Sequence, residues 1–190
     1  MGKKILLPTN FSKNSWNAIQ YAVNFHRHQE CDFYILNTYI QEAFGLKNVL
    51  LLDPDESLNK VSERRSKEGL GDILERLMVE YPNPKHNFFV ISRATTLLEA
   101  VEDLSNSLAI DLIVMGAKGI TNEREGKYGR KTLEIIENIR KCPVLVIPKY
   151  VIFDHPEEIV LATNFDTDFK VSEVKYLAEI AKIGSARIQV

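Results

Sequence analysis

The amino-acid sequence predicts an α/β fold of three layers, with a parallel sheet covered by helices on both faces. Two observations carry the prediction. Short, strongly apolar runs alternate with amphipathic stretches, and strands apolar on both faces belong to buried parallel sheets. One such run, Asp111-Leu112-Ile113-Val114-Met115, empties into a glycine-containing segment from Gly116 through Gly119 to Gly129, beyond which a helix begins near Arg130. A third feature bears on domain organisation. The opening Ile5-Leu6-Leu7-Pro8-Thr9-Asn10-Phe11-Ser12 recurs as Ile159-Val160-Leu161-Ala162-Thr163-Asn164-Phe165-Asp166.

The elements follow in order. A strand over Lys3–Pro8 leads through the Thr9-Asn10-Phe11 turn to Ser12, which can cap a helix over Asn14–His28. Trp16, Ile19, Ala22, Val23 and Phe25 give that helix its apolar face. A strand over Asp32–Ile40 follows, then a loop from Gln41 to Glu56. Asp55 or Ser57 can cap a long helix that runs to about Tyr81, where Pro82 and Pro84 break it. Strand Asn87–Ile91, helix Thr96–Ser107, strand Asp111–Met115, helix Lys131–Arg140 and strand Val144–Ile147 complete the alternation. The repeat then supplies a strand at Ile159, a helix with Val171, Val174, Leu177 and Ile180, and a strand from Ala186. The expected organisation is one domain over 1–149, a linker over 150–156, and a truncated second copy over 157–190. A lone β-α-β unit leaves an apolar face uncovered, so the second copy should pack on the first domain or on a neighbouring chain.

Composition narrows the function. The 190 residues carry 24 Lys and Arg against 26 Asp and Glu, a net charge of -2, which argues against a general nucleic-acid surface. No apolar run approaches the roughly 18 to 20 residues of a membrane span, so no membrane partner is expected and the cytoplasm is the expected location. Cys31 and Cys142 share no metal-ligand spacing and read as reduced, buried thiols. His26 and His28 fall near a helix end, where capping or exposure explains them. No catalytic constellation and no metal set emerges. Phe44, Leu46 and Val49 to Leu52 suit packing better than a partner-contact patch.

In open parallel sheets ligands sit at the C-terminal edge of the strands. The Thr9–Ser12 turn and the Gly116–Gly129 segment both leave that edge. Glycines admit close backbone approach, and a helix start offers N–H groups to an anion, so the combination suits a phosphate. Without a ligand, the same glycines would only shape a turn.

Three segments together resemble the universal stress protein family: the opening Ile5–Ser12, the Asp111–Gly116 strand, and the closing Cys142-Pro143-Val144-Leu145-Val146-Ile147-Pro148. The resemblance covers 1–149, and the partial repeat is similar to tandem members. It implies five parallel strands in the order 3-2-1-4-5 in a Rossmann-like, adenine-nucleotide-binding arrangement, with dimerisation through the last strand. The family's ATP-binding branch carries G-x2-G-x9-G-[S/T], which Gly116, Gly119 and Gly129 match in type and spacing.

Arg130 departs from that pattern, standing where a small hydroxyl is expected. It can grip a phosphate or pair with a neighbour such as Glu134. Thr132 offers a second hydroxyl position. Asn10 stands where many members place an aspartate; it keeps an acceptor and adds a donor, and an Asx turn explains it equally well. Lys118, Arg124 and Lys127 can neutralise phosphates, while Glu123 and Glu125 would repel them or help hold Mg²⁺. The candidate nucleotide-binding set is Thr9, Asn10, Asn37, Met115, Gly116, Lys118, Gly119, Gly129, Arg130 and Thr132.

The expected function is a stress-response module that binds ATP or ADP with Mg²⁺ and signals through a partner or through a homodimer. Hydrolysis, if any, should be weak, since no general base is in view. A nucleotide-free scaffold of the same family is the alternative. An ATP-cleaving transferase would need a further substrate site that the sequence does not show.

Overall fold

Lys3–Pro8 forms β1, with Ile5, Leu6 and Leu7 fully buried by helices on both faces. The computed structural model describes residues 2–39, 58–118, 128–163 and 171–190. The Gln41–Glu56 loop with its Phe44–Leu52 apolar stretch, the caps Asp55 and Ser57, Gly119, the charged loop through Lys127, and Asn164 lie outside the described residues.

Helix α1, Lys13–Phe25, starts at Ser12, whose Oγ accepts the Ser15 N–H at 3.3 Å. Strand β2, Cys31–Thr38, runs parallel to β1 and pairs Lys3 with Cys31 through Pro8 with Leu36. Helix α2, Leu58–Glu80, and strand β3, His86–Arg93, follow, with β3 parallel to β2. Helix α3, Leu97–Ser107, opens with a full capping box: Thr96 accepts from the Glu99 N–H, and the Glu99 carboxylate accepts from the Thr96 N–H. Strand β4, Leu112–Gly116, helix α4, Arg130–Asn138, and strand β5, Val144–Ile147, complete the sheet.

The strand order is β3-β2-β1-β4-β5, all parallel. Two cores flank the sheet. On one face Ala18, Ile19, Ala22 and Val23 of α1 and Leu70, Ile73 and Leu77 of α2 cover Ile5, Leu7, Phe33 and Ile35. On the other, Ala100, Val101 and Leu104 of α3 and Ile135 and Ile139 near α4 cover Leu6, Leu36, Ile113 and Met115. This distribution follows from right-handed crossovers. The chain steps outward twice from β1, then returns across it and steps outward on the other side.

Helix α1 ends three residues before the predicted His28, and His26 is a correction to the sequence reading. It occupies the C-cap but is 1% exposed rather than presented to solvent. Its Nδ1 lies 2.7 Å from Gln29 Oε1, its ring meets Phe25 edge-on, and its carbonyl lies 3.1 Å from His86 Nε2. Desolvation lowers its pKa to about 4, with Lys3 and His86 adding to that effect and the Gln29 contact opposing it. The ring is therefore neutral at pH 7 and supplies no charge to the helix end. Both thiols are buried as expected, and burial pushes Cys31 up to about 12 and raises Cys142.

The repeat folds as strand β6, Glu158–Val160, helix α5, Val171–Gly184, and strand β7, Arg187–Gln189, with β6 and β7 parallel. It packs on the first unit. Tyr176 of α5 joins the core on the α1 face, and Lys3 Nζ reaches Glu179 Oε2 at 3.1 Å while lying over the Tyr176 ring. The connecting segment lies along α1, where Asn17 Nδ2 donates to the Val151 carbonyl at 2.9 Å and Phe153 meets Tyr21 edge-on. Gly184 permits the approach of Pro156, because a Cβ there would sit 2.6 Å from Pro156 Cγ. Val160, Val171 and Val190 remain exposed on this unit.

Candidate functional site

The C-terminal ends of β1 and β4 are neighbours whose chains leave to opposite faces of the sheet, and a cleft opens between them. It measures about 240 Å³. Pro8, Thr9 and Asn10 after β1, Thr38 at the end of β2, Leu97 at the start of α3, and Met115 and Gly116 of β4 line it, with Ser15, Lys118, Lys131 and Thr132. This is the switch point that parallel α/β sheets use for ligands.

Local chemistry builds the cleft. Gly116 is needed where β4 passes α1, since a Cβ would meet the Asn14 carbonyl oxygen at 3.0 Å. Asn14 Nδ2 donates to the Lys118 carbonyl at 2.9 Å and anchors the exit of β4. The Gly129 N–H donates to the Ala117 carbonyl at 2.8 Å, and Thr132 Oγ1 donates to the Gly116 carbonyl at 3.1 Å. These bonds fix the first turn of α4 against the end of β4. Gly129 is the N-cap of α4 with no side-chain cap, so the helix start keeps N–H groups that an anion can accept.

The turn after β1 is equally determined. Thr9 Oγ1 donates to Ser15 Oγ at 3.0 Å and accepts the Phe11 N–H at 3.1 Å. Asn10 is exposed, and its Oδ1 accepts the Ser12 N–H at 3.3 Å, an Asx turn. Its Nδ2 donates to no described residue. Phe11 takes φ 63, and its ring lies where a Cβ on Gly69 of α2 would stand, 2.8 Å from Cε1.

Of the residues singled out from the sequence, Thr9, Asn10, Met115, Gly116, Lys118 and Thr132 meet in this cleft. Asn37 does not line it; its buried Nδ2 donates to the Thr9 carbonyl at 2.8 Å and holds the β1 turn from behind. Gly129 acts through the N-cap. Arg130 is exposed, lies outside the lining, and makes no ion pair with another described residue. Glu134, its suggested partner, pairs instead with Lys131, Nζ to Oε2 at 3.3 Å.

Five lining residues were missed: Pro8, Ser15, Thr38, Leu97 and Lys131. For Lys131 a signal existed. Thr132, Ile135 and Ile139 face inward at helical spacing, and Lys131 stands four residues before Ile135, on the flank of that stripe.

The lining is amphipathic. Pro8, Leu97 and Met115 supply apolar surface, hydroxyls and an amide supply hydrogen bonds, and two lysines supply the charge. No carboxylate, His or Cys is among these lining residues, and the described residues contain no cluster of three or more potential metal ligands. No helix among them is long and apolar enough to cross a membrane. The arrangement can bind a flat, partly apolar anion. It offers no described general base.

Comparison with known proteins shows the family and the fold. The universal stress protein family matches residues 1–148. The universal stress protein Sll1654 of Synechocystis sp. is 24% identical over 148 residues, covering 78% of this chain and 87% of its own length. A universal stress protein structure from Archaeoglobus fulgidus superposes with a TM-score of 0.66 at 18% identity, over 97% of this chain and 65% of that one. A universal stress protein solved in complex with cAMP superposes with a TM-score of 0.53 at 14% identity, over 78% of this chain and 98% of that one.

Proposed function

The chain belongs to the universal stress protein family, and on that premise we propose that it is an adenine-nucleotide-binding module that passes the occupancy of its cleft to a partner. The observation that carries this reading is the cleft itself. Pro8 of β1, Leu97 of α3 and Met115 of β4 supply apolar surface, and Lys118 after β4 and Lys131 of α4 supply charge. An adenosine occupies the first and phosphates the second, at the uncapped start of α4. The cAMP complex of a protein with this fold supports an adenine nucleotide as the ligand class.

ATP and ADP are the proposed forms. Thr9 and Asn10 contact the adenosine end; Gly116 and Gly119 let the phosphates approach the backbone, the start of α4 beyond the Gly129 N-cap offers donors to them, and Lys118 their counter-charge. Magnesium would enter on the phosphates and keep most of its water, because the described lining has no carboxylate for it. The 157–190 unit is proposed to be part of a second copy of the domain. Its repeated sequence and the longer Archaeoglobus structure that spans 97% of this chain support that assignment. A homodimer is the proposed assembly.

A second reading, a nucleotide-free scaffold, is favoured by one set of observations. Thr132, Asn37 and the Asn10 acceptor are all engaged in local structure. Calorimetric titration with AMP, ADP and ATP, with and without Mg²⁺, separates the two. Micromolar binding that disappears when Thr38→Trp fills the cleft is the expected result. No heat from any nucleotide, with the protein folded and free of copurified ligand, would favour the scaffold.

A further inference from the structure

Lys131 is the cleft residue with the least structural work to do. Thr132 next to it is 3% exposed and bonded to Gly116, so the backbone at Lys131 is held firmly against the end of β4. The side chain is about half exposed, and its one ion pair among the described residues is with the Glu134 carboxylate a turn further along α4. Such an exposed pair is weak, so the ammonium can exchange Glu134 for a ligand anion. Lys118 lies at the same β4–α4 end of the cleft, with its backbone anchored by Asn14.

We propose that Lys131, together with Lys118, makes the cleft discriminate nucleotides by phosphate number, with Glu134 as the counter-charge that the phosphates displace. The inference rests on the nucleotide reading above. The geometry supports it in three steps. The first phosphate beyond the adenosine meets the backbone near Gly116 and the start of α4, where N–H groups suffice. Further phosphates extend past the start of α4 toward the Lys118 and Lys131 side chains, and the described lining presents no carboxylate to oppose them. Each added phosphate then gains a charge-assisted contact that a monophosphate cannot reach. Arg130 faces solvent outside the lining and is not needed for this.

The test is a titration of the full chain with AMP, ADP and ATP at low salt, for the native protein and for Lys131→Gln, Lys131→Arg and Glu134→Gln. The native protein should bind ATP about tenfold more tightly than AMP, equivalent to about 1.4 kcal/mol. Lys131→Gln should remove most of that ratio while changing AMP affinity less than about twofold, and Lys131→Arg should retain it. Glu134→Gln should tighten ATP by about twofold or more and leave AMP alone, because it frees the ammonium. Nucleotides that bind with an ATP-to-AMP ratio unchanged by Lys131→Gln would overturn the inference and leave the nucleotide reading standing. Failure of all three to bind the native protein would remove both. Lys131 is exposed, and thermal melts of the three variants matching the native one verify that any loss is not unfolding.

Discussion

His26 ties the fold to pH, and replacing it with Asn tests how firmly. The free imidazole titrates near pH 6.5, whereas burial beneath the start of β3 lowers the folded value to about 4. The unfolded chain therefore binds a proton between those values that the folded chain refuses. Stability from this residue is fully present above about pH 6.5 and is lost as pH falls toward about 4. At pH 5 the unfolded state gains about 2 kcal/mol by protonation, from a shift of about 2.5 units at 1.36 kcal/mol per unit, only part of which has developed by then. The groups around the ring are Gln29, Lys3 and His86. His86, also lowered by burial, contacts the main-chain carbonyl of residue 26, which the substitution keeps. Urea denaturation followed by the fluorescence of Trp16, at pH 7.5 and pH 5.0, gives the two stabilities. The native chain should lose about 2 kcal/mol more between those pH values than His26→Asn does, whatever constant penalty the substitution adds. Equal losses in the two proteins would refute the claim that this ring is held neutral in the fold.

Two further expectations concern buried groups. Thr132→Val removes the donor to the Gly116 carbonyl in a buried position and should cost about 1 to 2 kcal/mol, with Thr132→Ser recovering most of it; denaturant midpoints check this, and an unchanged midpoint for Val would count against the bond. Cys31 and Cys142 should resist iodoacetamide at pH 8 in the native protein and react fully in urea, since both are buried and their thiols titrate upward; mass spectrometry of the native sample showing either alkylated at the unfolded rate would contradict their placement.

The sheet was legible because its strands are apolar on both faces and short, so Ile5–Leu7, Phe33–Leu36 and Leu112–Met115 admit few other positions. Strand order is a different kind of information. Composition and periodicity do not carry it, and here it came from resemblance to a family and is realised in the β3-β2-β1-β4-β5 sheet. Element ends drifted where a cap decides them. The capping box at Thr96 and Glu99 set the start of α3 to within a residue, whereas the end of α1 has no glycine to mark it and was placed at His28 instead of Phe25. His26 nevertheless continues a readable stripe. It stands four residues after Ala22 and three after Val23, both buried, and treating it as a charged helix-end residue set that spacing aside.

The candidate site divides in the same way. Glycine spacing pointed to the end of β4 and the start of α4, and the turn residues Thr9 and Asn10 pointed to the wall across the cleft, since both features belong to the local chain. Which cation faces the cleft is not local. Arg130 and Lys131 differ by about 100° around one helix, and only the packing of α4 decides between them. Thr132, Ile135 and Ile139 are drawn to the sheet, which turns Lys131 toward the cleft and Arg130 to solvent. The hydroxyl in the family pattern that Arg130 replaces therefore leaves a gap in the first turn of α4, and the charge that can fill it stands one residue later. A cation at Lys131 attracts phosphates without the directional hydrogen bond of a hydroxyl, so affinity here should depend on salt and on phosphate charge more steeply than on the shape of the ligand.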